Sequence, residues 1–408
     1  MPSGLSSSCT AGMSGGDTRP DHVRVLVFTS LWPSSRLPGH GTFVRERIEC
    51  LRQRLDFDYR VIHPLPFYPP LPGGSAMARQ SRLPRHERVD GIDVDYPRYF
   101  HLPRTGVARQ AARVARGARA AFRRVVAEFR PSLIDAHYLW PDGCAALRLA
   151  GEAGLPCVVT ARGSDVNVLA EDAGVRQSYV ELLPRAARVL AVSRPLADRL
   201  DELGVSHEPV AVIPNGVDLV RYAPGSQRRD RILTVTRLVP GKRIDLLVRA
   251  LAVDGGCLLP KLVVCGGGPA RGAVERLART LGVADRLDLR GEMSRDAVAK
   301  ELADGGVFAF PSAHEGWPNA VLEALASGLP VVASAVGGVP DMLGASGAGV
   351  MLPVEADAQA WASALAAAVA AWRSDPASCC ERSRARAEEL SWERCTEDLA
   401  AIWREAGS

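Results

Sequence analysis

No two of the nine cysteines, at positions 9, 50, 144, 157, 257, 265, 379, 380 and 395, form a C-x-x-C pair, and their total is odd. That pattern argues against a disulfide framework or a zinc site and for free thiols in a reducing compartment. Long apolar runs are missing too. The longest, Trp361 to Trp372, is mostly alanine and far short of the roughly 20 residues that span a bilayer. Residues 1 to 20 contain no sustained hydrophobic stretch and are rich in Ser, Gly and Pro. They read as a flexible tail rather than a secretory leader, with Met13 as an alternative start. These absences exclude a transmembrane helix and point to the cytoplasm.

What is present fits a soluble globular protein. The 408 residues, 47% apolar and 24% charged, supply about two ordinary domains. The net charge of +4 is unevenly spread. Residues 1 to 200 carry 28 Lys or Arg against 19 Asp or Glu, net +9, and residues 201 to 408 carry 22 against 27, net −5. The first half is therefore the one to face anions.

Short apolar runs alternate with helical patterns along most of the chain, starting with the strand 23–28, and this is the mark of parallel sheets wound with helices. The pattern predicts a first domain over 21–222, a linker at 223–230, a second domain of similar type over 231–390, and a closing helix over 391–408. Residues 66 to 90, rich in Pro and Arg and without periodicity, are predicted to be a long mobile loop. Residues 107 to 130 predict an amphipathic helix. Arg109, Arg113, Arg116, Arg119, Arg123 and Arg124 lie on one face, opposite Val107, Val114, Phe122, Val125 and Phe129. Such a row is either a solvated back or a contact for anionic lipid or a phosphorylated acceptor. No aromatic residues are interleaved with it, so nucleic acid is a poor partner.

The candidate site residues stand where strands run into turns. In the second half, the strand at 306–310 leads through Glu315 into Gly316, Trp317, Pro318, Asn319 and Ala320, the start of a helix that carries Glu323. Amides at a helix N-terminus favour an anion, and the two glutamates look like separate contacts on one elongated ligand. Arg237 and Lys242 share one loop, Gly267 and Gly268 belong to a triple-glycine turn too poor for a dinucleotide fingerprint, and Arg290 and Gly291 end another strand. In the first half, Gly39, Gly41 and Thr42 lie between the first strand and helix. His137, Arg162 and Asp165 fall at carboxyl ends of strands, and Asn215 follows another. The pair Asp93 and Asp95 resembles a metal-binding D-x-D, but alternation on a half-buried strand accounts for it as well.

Taken together, these motifs resemble the large retaining glycosyltransferase family 4 of the GT-B fold, over nearly the whole chain from about residue 22. The strongest match is the pair Glu315 and Glu323. Arg237 with Lys242, Gly266-Gly267-Gly268-Pro269, Asn215-Gly216-Val217-Asp218 and the Trp392 helix add to it. Leu31-Trp32-Pro33, Gly39 to Arg45, His137-Tyr138 with Pro141-Asp142-Gly143, and Ala161 to Asp165 resemble the branch associated with teichuronic acid and other surface polysaccharides. Trp317-Pro318-Asn319 departs from the Phe-Gly-Leu-Pro of many relatives, so donor preference is not carried over.

The resemblance implies two Rossmann-like, doubly wound parallel-sheet domains facing across a cleft, with a C-terminal helix crossing back to the first. It implies a nucleotide-sugar donor, UDP- or GDP-linked, and a saccharide or lipid-linked acceptor. No cofactor is implied: Arg237 and Lys242, not a metal, would offset the charge growing on the leaving diphosphate. Glu315 would meet the donor sugar and Glu323 the ribose, with His137, Gly41 and Arg162 near the reacting centre. Configuration would be retained without an enzyme nucleophile. The competing readings are an epimerase on the same fold and a non-catalytic nucleotide-sugar-binding scaffold.

Overall fold

The computed structural model describes residues 23–68, 73, 75–100, 106–205, 207–226 and 229–407. The predicted tail at 1–20 and parts of the loop at 66–90 and of the linker lie outside them. Among the described residues sixteen strands follow in chain order. The first ten are β1 (Val23–Phe28), β2 (Phe57–Ile62), β3 (Leu65–Pro66), β4 (His86–Val89), β5 (Ile92–Asp95), β6 (Arg98–Tyr99), β7 (Leu133–His137), β8 (Cys157–Ala161), β9 (Arg188–Ala191) and β10 (Ala211–Val212). The remaining six are β11 (Ile232–Val235), β12 (Leu262–Cys265), β13 (Leu287–Gly291), β14 (Val307–Phe310), β15 (Val331–Ser334) and β16 (Gly349–Leu352).

The first sheet has the order β10-β9-β8-β7-β1-β2-β5-β4 and the second β13-β12-β11-β14-β15-β16. Every pairing is parallel except that of β4 with β5. The two-domain GT-B expectation therefore holds. Strands covered by helices on both faces need apolar side chains on both, and β7, β8, β12, β14 and β15 are buried at every position. Strand order reverses between β7 and β1 in one sheet and between β11 and β14 in the other. Ligands of such sheets bind at the carboxyl ends of the strands beside that reversal.

The segment at 66–90 is more ordered than its sequence suggested. It contains the helix Ala76–Ser81, where the Ser75 hydroxyl accepts from the Ala78 amide, and the edge strand β4. A two-residue Asp90-Gly91 turn with φ of 50° and 83° closes a hairpin from β4 to β5. Asp-Gly is the residue pair such a turn demands, and the Pro and Arg around it obscured the signal. Asp93 and Asp95 face cations: Asp95 pairs with Arg124 at 2.6 Å, and Asp93 lies 3.9 Å from Arg60.

The basic segment opens with a 3-10 turn, Val107–Arg109, and continues as the helix Gln110–Phe129, which buries Val114, Phe122 and Val125. Carboxylates hold several of its arginines. Arg119 and Arg123 meet Glu152, and Arg124 meets Asp95 and Glu128. At the other end of the chain, Trp392–Cys395 and Glu397–Gly407 are two short helices against the first domain. Trp403 is fully enclosed there, edge-on to Phe57 with ring centres 5.2 Å apart.

Candidate functional site

Loops at the carboxyl ends of strands in both domains enclose a cleft of about 500 Å³ between them. Its second-domain wall comes from the strands flanking the reversal. After β11, Arg237 projects exposed from the loop, and a 3-10 turn, Pro240–Lys242, delivers Lys242. After β14, residues 311–318 deliver Glu315. The two loops are tied together, since the Ala313 amide donates to the Gly241 carbonyl at 2.9 Å. Lys242 and Glu315 form an ion pair, with the ammonium also 5.8 Å from the centre of the Phe310 ring. Lys242 is one of three lysines in the chain. A sequence that takes nearly all its positive charge from arginine thus places a compact ammonium here, held by Glu315.

The triple-glycine turn lies beneath Arg237. A Cβ on Gly268 would fall 2.3 Å from the Leu238 carbonyl oxygen, and the Leu238 amide donates to Gly267 at 2.8 Å. The close approach there is made by the protein's own Arg237 loop. Gly316 and Trp317 follow Glu315, Pro318 caps the helix Asn319–Ala326, and Asn319 and Ala320 form its first turn.

The first-domain wall comes from β1, β7 and β8. Leu31, Phe43, Tyr138, Arg162 and Asn167 line it, with the Tyr138 hydroxyl 2.8 Å from that of Ser164. Arg162 stacks over Phe43 at 5.3 Å and bonds Nδ1 of His137 and Oδ1 of Asn215, each at 2.7 Å. Burial lowers the Arg162 pKa well below its usual value, with the nearby Arg47 acting in the same direction. His137 itself is fully buried beneath Arg162, and Asp135 Oδ2 lies 3.2 Å from its Nε2. Burial, which outweighs Asp135, pushes the imidazole down to about 4. A neutral ring accepting at Nδ1 from a guanidinium carries its proton on Nε2, facing Asp135.

The structure thus gathers Arg162, Asn215, Arg237, Lys242, Glu315, Gly316, Trp317 and Asn319 around one cleft. Other candidates stand behind or beside it. Asp165 is fully buried and its carboxylate accepts from the amides of Leu139, Arg162 and Gly163, so it holds the Arg162 loop from below. Gly41 ends the first loop at the N-terminus of the helix Thr42–Arg52, against the backbone of Leu31, while Gly39 has open space around it. Arg290 pairs with Asp288 at 3.0 Å, and the Gly291 carbonyl accepts from the Gly266 amide at 2.8 Å. Glu323 is half-buried beside Tyr222 and Arg295, away from Glu315. Burial raises its pKa, with Arg295 and a Tyr222 hydrogen bond opposing.

Two family models match the chain: Glycosyltransferase Family 4 over residues 39–221 and Glycosyl transferases group 1 over residues 223–386. A Bacillus subtilis protein named for teichuronic acid biosynthesis, glycosyltransferase TuaC, is 30% identical over 337 residues, 79% of this chain and 83% of that protein. The chain belongs to glycosyltransferase family 4.

D-inositol 3-phosphate glycosyltransferase of Saccharomonospora viridis is another relative of this glycosyltransferase, 30% identical over 67% of this chain and 70% of its own. Among solved structures, sucrose-phosphate synthase from Thermosynechococcus elongatus superposes with a TM-score of 0.74 at 21% identity, covering 94% of this chain and 98% of that one. HepE of Anabaena, solved with UDP and glucose, gives 0.68 at 18% identity, covering 93% and 99%. Both show the shared fold.

Some cleft residues of the glycosyltransferase carried no sequence signal as site residues. Asn167, whose side-chain amide donates to the Glu315 carbonyl at 3.2 Å, sits 148 positions from it. Val168 and His314 also reach the cleft. A contact of that separation is created by the fold, and only motif order hinted at it.

Proposed function

We propose that the protein moves a hexose from a nucleoside-diphosphate sugar to a saccharide or lipid-linked acceptor of surface polysaccharide or glycolipid assembly, with retention of configuration. The observation that carries this reading is the convergence of Arg237, Lys242 and Glu315 on one wall, facing Arg162, Tyr138 and Asn167 across a cleft. The TuaC relative and the UDP-bound neighbour support the acceptor class and the donor class respectively.

In this reading the donor diphosphate lies against Arg237 and Lys242. As the glycosidic bond breaks, negative charge grows on the departing phosphate oxygen, and these two cations on one wall of the cleft stabilise it most at that moment. Metal-independence is part of the proposal and rests on these two residues. Glu315 orients the donor hydroxyls while its ion pair holds the ammonium in place. The first-turn amides at Asn319 and Ala320 add a partial positive field. Glu323, steadied by Tyr222 and Arg295, takes the ribose diol. The acceptor hydroxyl attacks from the face the diphosphate leaves, and its proton passes to the departing phosphate oxygen, so no enzyme nucleophile is needed. We place the membrane contact on the N-terminal part of the basic row, around Arg109 and Arg116. No helix among the described residues is long and apolar enough to cross a membrane.

Mixing the protein with a panel of UDP- and GDP-sugars and oligosaccharide or lipid-linked acceptors, and reading product mass, tests the proposal. Transfer that requires acceptor supports it. Donor isomerised without acceptor indicates an epimerase, and binding without turnover indicates a scaffold. For the membrane contact, reversing Arg109 and Arg116 to Glu should reduce binding to vesicles containing anionic lipid, and unchanged binding refutes it.

A further inference from the structure

Glycosyl transfer between two domains requires that their facing loops stand in one register, and a connected line of side chains crosses this cleft. It begins inside the first domain, with Asp135 Oδ2 3.2 Å from His137 Nε2 and Arg162 donating to His137 Nδ1 at 2.7 Å. Arg162 also donates to Asn215 Oδ1 at 2.7 Å, Asn215 Nδ2 donates to Asn319 Oδ1 at 3.1 Å, and the Asn215 carbonyl accepts from the Trp317 indole at 2.9 Å. The orientation of the Asn215 amide follows from chemistry. A guanidinium only donates, so Asn215 must present its oxygen to Arg162, which leaves its NH2 for the second domain.

The backbone repeats the junction. A Cβ on Gly316 would lie 2.2 Å from the Arg162 carbonyl oxygen and 2.7 Å from the Gly163 Cα, and a Cβ on Gly163 would lie 2.8 Å from the Gly316 Cα. Two loops of different domains touch there at a distance that only paired glycines allow. Asp165 clamps the first of these loops through the Arg162 and Gly163 amides, so that side is rigid. Trp317 is almost wholly buried, and its ring packs on Gly338 with its N–H turned to Asn215.

We propose that Asn215 is a positioning residue for the transfer reaction: bonded to Arg162 on one side and to Trp317 and Asn319 on the other, it fixes where the Glu315 to Asn319 segment stands against the first domain. It acts through those residues and not by gripping the sugar. The proposal rests on the reading that this cleft is the donor site. It also gives Trp317 a task, since the indole ties the motif to the first domain.

Amide hydrogen exchange on the whole protein tests the junction without any donor. In Asn215→Ala, peptides covering 160–168 and 314–322 should exchange faster together, by about fivefold or more, while those covering β7 and β12 keep their rates. Trp317→Phe, which removes the indole donor and part of the ring but leaves the Asn215 side chain and its bonds in place, should give the same pattern more weakly. Faster exchange confined to 213–218 overturns the proposal. With UDP-glucose as probe donor, Asn215→Ala should lower kcat about fivefold to tenfold, the size of one net hydrogen bond, with donor KM within twofold. Asn215→Asp should recover most of kcat, because its carboxylate accepts both from Arg162 and from a flipped Asn319 amide. The double variant Asn215→Ala with Asn319→Ala should cost no more than Asn215→Ala alone. Additive costs, or a rise in KM without a fall in kcat, overturn it. Failure of UDP to protect residues 237–242 from exchange speaks against the donor reading and leaves the exchange result across the junction to decide this one.

Discussion

Lys242 and Glu315 are each other's counter-ion on the wall of the cleft, delivered from the carboxyl ends of the adjacent strands β11 and β14. The pairing explains how a flexible four-carbon stem is held ready before a donor arrives. It also predicts that each partner affects the other. Lys242→Ala should lower kcat roughly a hundredfold to a thousandfold, the range for losing one preorganised charge partner of a departing oxyanion. Lys242→Arg should recover little of it, since the planar guanidinium does not fit an ammonium's place between Glu315 and Phe310. Steady-state kinetics on the three proteins check this, and full recovery with arginine contradicts it.

The backbone contact between Gly163 and Gly316 makes a steric prediction. In Gly316→Ala the new methyl must move away from the Arg162 carbonyl oxygen 2.2 Å distant, which opens the cleft. A displacement on the order of 1 Å between reacting groups costs roughly a hundredfold. Transfer should fall by about that factor while UDP binding, measured by calorimetry, stays near wild type. Equal losses of binding and turnover would place the defect inside the second domain.

His137 sets a pH dependence whose sign follows from its environment. Its pKa is about 4 in the folded protein against 6.5 in the open chain, through burial opposed by Asp135 and assisted by Arg162 and Arg47. Above pH 6.5 neither state binds the proton and the group contributes nothing to the slope. Between 6.5 and 4 the unfolded chain binds it and the native state does not, so stability falls as pH falls. His63, pushed down to about 3, adds to this, and Asp142, pushed up to about 7 by burial, works the other way over much of the same range. Replacing His137 by Gln removes one such term. Urea unfolding should show the gap between variant and wild type narrowing by about 2.5 kcal/mol from pH 7 to pH 4.5. A gap that does not change with pH would mean that His137 binds its proton as readily in the native state as in the unfolded chain.

Much of this architecture was readable in the chain. Buried parallel strands such as Val307–Phe310 are short apolar runs, and the turns after them display polar residues, so Glu315, Lys242 and Arg237 can be placed on the cleft wall from position alone. The hairpin at Asp90-Gly91 is not legible in the sequence because proline and arginine blur the alternation around it. The depth of His137 and Asp165 was also hidden. A strand end looks the same in sequence whether its side chain faces a ligand or holds up the residue that does. Partners such as Asn167 and Glu315 come together only through the packing of two sheets.

The C-terminal helices carry a stability prediction. Trp403 is fully buried against Phe57 in the first domain although it lies at the far end of the chain. Trp403→Ala should therefore cost about 3 to 5 kcal/mol. The loss should appear as faster hydrogen exchange in β1 and β2 while β11 and β12 keep their protection. Destabilisation confined to the second domain would contradict the packing.

In the proposed reaction the Arg237, Lys242 and Glu315 wall carries out acceptor-dependent transfer with retention. The most direct measurement is NMR of the product formed from an α-linked nucleotide sugar that the panel identifies as donor, for wild type, Lys242→Ala and Glu315→Ala. Wild type should give an α-linked product, and both variants a rate at least about a hundredfold lower while still folded by circular dichroism. A β-linked product, or normal rates from folded Lys242→Ala and Glu315→Ala, would contradict it.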